Sequence, residues 1–127
     1  MLETRMRYRE AVESFTNRAV RELGDRIDAI ILYGSAARNE ANENSDIDVL
    51  IITAHPEIRE KIYDIAYDVD LEYDVLLSFF FIDRERFLRL LELGSPFAEN
   101  ILTEGVVLYE KEEIFRGIRA QAAGARG

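Results

Sequence analysis

Apolar positions recur every fourth residue near the start of the chain, at Ala11, Phe15, Ala19 and Leu23, with Val12 and Val20 beside them. That spacing puts them on one stripe of a long first helix, which Gly24 is placed to stop. The pattern then changes. Ala29 to Tyr33 is an unbroken apolar run ending at Gly34, as expected of a strand covered on both faces. Residues 40–45 are polar apart from Ala41 and predict a loop. A second strand is expected over 46–53, where Val49, Leu50, Ile51 and Ile52 suit a central position. Pro56 ends it, because proline cannot donate to a sheet ladder, and His55 reads as a turn residue.

Ile58, Ile62, Ile65, Ala66 and Val69 form a second helical stripe of about three turns. Residues 73–82 predict a third strand, rich in aromatic and branched side chains. Within it, alternation sends Phe80 to the opposite side from Phe79 and Phe81, leaving one ring exposed, facing an interface or free to stack on a base. Asp83 is placed to cap a third helix carrying Phe87, Leu88, Leu90 and Leu91. Gly94 closes that helix, and Ser95 and Pro96 open a shorter one as cap and first helical residue. Residues 105–109 predict a last short strand. The order of elements describes an α/β (α+β) domain, a small mixed sheet flanked by helices. A single domain is expected over 1–115, with 116–127 a compositionally simple, mobile tail.

The totals narrow the function classes. A formal net charge of −9 would repel a phosphate backbone at long range and argues against general nucleic-acid binding. Fourteen of the sixteen basic residues are arginine, which suits directed pairing with carboxylate or phosphate. Cysteine is absent, so a metal would need oxygen ligands or His55, the single histidine, which points to magnesium-like chemistry. No apolar run is long enough to span a bilayer, and the first residues lack the core of a signal peptide, so a cytoplasmic location is expected.

Against this background one feature is unusual. Asp46 and Asp48 open the second strand two residues apart, so their side chains project from the same face. Two carboxylates so placed repel, and a divalent cation removes the conflict. A third acid is expected from the next strand. Asp74 is the best candidate, with Asp70 and Glu72 close by in the same acidic run. Gly34 and Ser35 follow the first strand, where glycine lets backbone approach a ligand and a short turn can aim N–H groups at phosphate.

Gly34-Ser35, ten intervening residues, then Asp46-x-Asp48 closely resembles the signature of the polymerase β-like nucleotidyltransferases, and in particular their minimal nucleotidyltransferase branch. The resemblance extends from the first helix to about Tyr109. It implies a triphosphate-binding turn at Gly34 and Ser35, with Arg38 and Ser45 as further nucleotide contacts. It also implies Asp46, Asp48 and Asp74 as catalytic acids that bind magnesium, two ions in all, with Asp74 helping to deprotonate an acceptor hydroxyl. An arginine at the Arg38 position is commonly followed by glycine in the family, and here Asn39 stands instead. Asparagine is the side chain best able to keep the left-handed backbone of such a turn.

By the same resemblance the expected activity is transfer of a nucleoside monophosphate, AMP from ATP, to a hydroxyl on a protein or small molecule. The expected setting is the antitoxin of a toxin–antitoxin pair with a helical HEPN-type partner. Nothing after Tyr109 is large enough for a substrate domain, so another chain, or a second copy in a homodimer, would complete the acceptor site. Two other readings share the motif: a partner-masking module without chemistry, and an aminoglycoside-type enzyme whose acidic surface attracts a cationic acceptor.

Overall fold

The computed structural model describes residues 2–42 and 45–126. Helix α1 (Leu2–Leu23) buries Tyr8, Ala11, Val12, Phe15, Ala19 and Leu23, the stripe its periodicity predicts. A 3-10 turn at Gly24–Arg26 leads into β1 (Ala29–Tyr33), followed at once by one helical turn, α2 (Gly34–Ala37). After the loop come β2 (Ile47–Ile52), a 3-10 turn at Pro56–Ile58, α3 (Arg59–Tyr73) and β3 (Leu77–Ile82). The chain continues through α4 (Arg84–Glu92), α5 (Pro96–Glu104), β4 (Val106–Glu110) and α6 (Ile114–Arg126).

The four strands form one mixed sheet in the order β3-β2-β1-β4. β1 runs antiparallel to both β2 and β4, whereas α3 carries the chain back so that β3 lies parallel to β2. Alternation along the two central strands divides the core. Ile30, Ile47, Val49 and Ile51 pack with α1 and α3, while Ala29, Ile31, Leu50 and Ile52 pack with Phe87, Ile101 and Phe115 from α4, α5 and α6. Phe15, Phe87 and Phe115 are fully buried, each contributing about 1.5–3 kcal/mol of transfer free energy. The sheet is therefore the middle of three layers, and both faces of β2 past Asp48 are dry.

Both expected helix caps form. The Asp83 carboxylate accepts from the Arg86 N–H at 2.8 Å, and the Ser95 hydroxyl accepts from the Ala98 N–H at 3.4 Å, with Pro96 in the first turn. One expectation is corrected. The third strand begins at Leu77, not at residue 73, because α3 runs on to Tyr73 and ends at Asp74 in a left-handed conformation (φ 53°). The Leu77 N–H, which a strand start leaves unpaired, is taken by the Asp70 carboxylate at 3.0 Å. The segment expected as a mobile tail carries α6 from Ile114 onward, with Phe115 and Ile118 buried. Its Arg119 donates to the carbonyls of Leu102 at 3.0 Å and Gly105 at 2.8 Å, satisfying orphan groups at the end of α5. No helix among the described residues is long and apolar enough to cross a membrane.

At that same corner a side chain on Gly105 would collide with the Ile101 carbonyl oxygen and come within 2.8 Å of Ile31. Gly105→Ala is therefore expected to cost about 1–3 kcal/mol through overpacking, read as a lower urea midpoint with an unchanged denaturant slope.

Candidate active site

Asp48 is the second residue of β2, flanked in register by Tyr33 on β1 and Ser78 on β3. All three face the layer of α4, α5 and α6, since Leu50 and Ile52 of the same parity are buried there. Asp46 precedes the strand by one residue, shares that parity and is exposed. Partial burial pushes the Asp48 carboxyl above the usual carboxylate range, and the negative charge of Asp46 pushes it further. The Tyr33 phenol is raised as well, by burial first and by Asp48 second. Two carboxylates in conflict, one partly desolvated, make a donor set suited to a hard divalent cation that takes its other ligands from phosphate and water. The residues present fit magnesium.

The two halves of the motif meet at Gly34. Its backbone has φ +73°, and a Cβ built on it would strike the Asp48 carboxylate. Only glycine leaves room for that carboxylate against the turn. The turn itself is closed by the Arg38 N–H to the Gly34 carbonyl (3.2 Å), Asn39 N–H to Ala36 (3.2 Å) and Glu40 N–H to Ser35 (2.9 Å). Asn39 adopts the left-handed backbone expected of it, φ 60°. Arg38 braces the loop, pairing with Glu40 at 3.1 Å and with Glu104 of α5 at 3.4 Å. Ser45 closes the far end of the loop: its hydroxyl accepts from the Asn42 N–H at 3.1 Å. The buried Tyr8 hydroxyl lies 2.8 Å from the Asn42 carbonyl and 2.6 Å from that of Ser45, tying the loop to α1. Residues 43 and 44, within the expected loop, lie outside the described residues.

The expected convergence of three acids is not what the chain forms. Asp74 caps α3, outside β3, and is exposed. Asp70 is engaged with the Leu77 N–H, a bond that lowers its proton affinity while burial raises it by more. Glu72 is exposed on α3. Among the described residues no group of three or more acidic or histidine side chains is arranged to hold a metal ion. The position on β3 beside Asp48 belongs to Ser78, and the preceding residue of like parity is the exposed Leu76. Sequence reading passed over Tyr33 and Ser78 because their relevance lies in strand register, which periodicity does not reveal. A groove of about 500 Å³ lies on the α1 side between Met6, Leu32 and Leu108 and does not include the acids.

With this geometry in view, the family model for "Polymerase beta, Nucleotidyltransferase" matches residues 17–114. The chain belongs to the polymerase β nucleotidyltransferase family. Two relatives from Methanocaldococcus jannaschii, both named as candidate protein adenylyltransferases, agree. One is 40% identical over 72 residues, covering 54% of this chain and 73% of the relative. The other is 33% identical over 104 residues, covering 82% and 100%. Among solved structures, a toxin–antitoxin with AMP-PNP superposes with TM-score 0.57 at 18% identity, over 90% of this chain and 86% of the other. A candidate nucleotidyltransferase from Sulfolobus solfataricus superposes with TM-score 0.53 at 15% identity, over 88% of each chain. At these identities the structures establish a shared fold. By its family the chain is a nucleotidyltransferase.

Two substitutions probe the site's physics. At Asn39 a β-branched residue cannot sit comfortably in the left-handed region, so Asn39→Val should cost about 1–2 kcal/mol by chemical denaturation whereas Asn39→Gly should be nearly neutral. For Asp48 the folded chain binds the proton more tightly than the unfolded chain. In chelator, stability should therefore fall as pH rises from the usual carboxylate range through the raised value, and stay reduced above it. Asp48→Asn is expected to flatten that fall and raise the melting temperature at pH 7, measured by calorimetry in EDTA.

Proposed function

We propose that this nucleotidyltransferase acts in the cytoplasm to transfer AMP from ATP to a hydroxyl of a protein acceptor, and that its acceptor is a helical HEPN-type partner neutralised by the modification. The observation that carries the reading is the contact between Gly34 and Asp48, which brings the candidate phosphate turn and the acidic pair into one place. The names of the M. jannaschii relatives support protein adenylylation, and the toxin–antitoxin folds among the structural neighbours support the partner class.

In this reading Asp46 and Asp48 would hold magnesium, which supplies charge neutralisation at the transferred phosphate and the departing pyrophosphate. The N–H groups opening α2 have no intrahelical acceptor, so the Gly34-Ser35 turn and the Ser35 hydroxyl are its donors to the triphosphate. Arg38 and Asn39 hold that turn in shape, and Ser45 with Tyr8 anchors the loop leading to the acids. The acceptor oxygen attacks the α-phosphorus, the bond to pyrophosphate breaks, and the hydroxyl proton is released.

A second reading draws on one observation. Because Ser78, not an acid, faces Asp48 from β3, the chain would also suit a module that masks its partner without chemistry. Incubation of the HEPN-type partner with α-labelled ATP and magnesium separates the two. The wild-type protein is expected to label the partner, and Asp48→Asn to label it at least a hundredfold more slowly, in line with removal of one charge-stabilising group from a transfer site. Neutralisation of the partner by both proteins, with no label from either, would establish masking instead.

A further inference from the structure

The face that carries Asp48 holds a row of three rings, of which Tyr33 and Phe97 pack against the core while Phe80 stays exposed and is not used by the transfer reaction. Phe79 and Phe81 turn to the α3 side, where both meet Tyr63 and Phe79 also meets Phe15. Phe80 turns the other way, in register with Leu50, and keeps 43% of its surface exposed. It does not stand alone. Phe97, in the first turn of α5, lies 4.9 Å from the Phe80 ring and 5.6 Å edge-on from Tyr33, whose neighbour across the ladder is Asp48. The rings thus form a shelf that begins at the acidic pair and ends at an open phenylalanine face on the sheet edge. Sheet spacing puts the Phe80 Cα about 8 Å diagonally from that of Asp48.

The arrangement supports its outermost ring. An isolated exposed phenylalanine is ordinary, but this one is backed by a second ring that is itself braced by a third, so the exposed face is held in place. The shelf contains no basic side chain: its members are Tyr33, Phe80 and Phe97, with Ser78 beside them. The part of a ligand resting there is accordingly planar and uncharged, while the anionic part lies at Gly34, Ser35 and the two acids. From these positions we infer that Phe80, seated on Phe97, is the stacking platform for the nucleobase of the bound nucleoside triphosphate and favours a purine over a pyrimidine. One ribose spans the interval between shelf and phosphate turn. A purine covers more of the ring than a pyrimidine does, which gives the preference its direction. The inference rests on the proposed nucleotide site and adds a base-recognition residue to it.

The test must separate the shelf from the phosphate site, and three ligands do so. With magnesium present, ATP, CTP and inorganic tripolyphosphate are titrated calorimetrically into wild type, Phe80→Ala and Phe80→Tyr. Wild type is expected to bind ATP at least tenfold more tightly than tripolyphosphate, and more tightly than CTP. Phe80→Ala should bring ATP close to the tripolyphosphate level while leaving tripolyphosphate itself unchanged, and Phe80→Tyr should restore ATP binding, as loss and retention of one aromatic–base stack require. Unchanged ATP affinity in Phe80→Ala would overturn the shelf while leaving the phosphate turn standing. Phe80-dependent ATP binding without any uptake of tripolyphosphate would support the shelf and overturn the phosphate turn, and failure of every ligand would overturn both. Because the chain has no tryptophan, Phe80→Trp adds one indole at the site, whose emission is excited selectively over that of the tyrosines. ATP should quench its emission and tripolyphosphate should not. Equal quenching by both would count against base contact.

Discussion

The close approach of the Asp48 carboxylate to the α-carbon of Gly34 governs the rest of the site. Antiparallel pairing places Tyr33 level with Asp48, so the chain leaving β1 must turn directly over the acid. A side chain at that first turning residue would occupy the space of the carboxylate, and a right-handed backbone would not make the turn. One missing β-carbon therefore fixes the distance between a cluster of backbone donors and a negative charge. The turn, the bracing of Arg38 by Glu40 and Glu104, and the anchoring of the loop on Tyr8 all preserve that approach.

The charge that this packing creates is not favourable in the free protein. Asp48 resists ionisation because it is partly buried and because Asp46 repels it, so the fold carries an electrostatic cost at the place where chemistry is proposed. The surrounding structure outweighs it with dry packing on both faces of β2, from Val49 to Ile52. Stability comes from the middle of the strand and function is assigned to its first turn of sheet, which is why residues two apart in sequence can serve opposite ends.

Much of this was legible in the residues alone. β1 covers the predicted run, the Asp83 and Ser95 caps form, and Asn39 takes the left-handed backbone that its chemistry allows. What was not legible shares a cause. Residues 73–76 are as compatible with a strand as with the end of a helix, and the choice is made by Val69 in the core and by the Asp70 carboxylate seven residues ahead of its partner N–H. That error of boundary is what made Asp74 look like a strand acid. Helix α6 is not legible in composition, which hides two buried side chains three residues apart, Phe115 and Ile118, and an arginine whose hydrogen bonds lie far off in sequence. Local pattern predicts elements well when burial is periodic, and fails where a single long-range contact decides.

That arginine also orders events in time. The end of α5 hands two carbonyls to Arg119, and α5 supplies Phe97, the ring behind Tyr33 and Phe80. During synthesis the acidic pair and its glycine turn emerge long before residue 119 does. Whatever needs that corner, the placing of Phe97 included, therefore waits for residue 119, whereas the glycine turn is closed by hydrogen bonds within residues 34–40.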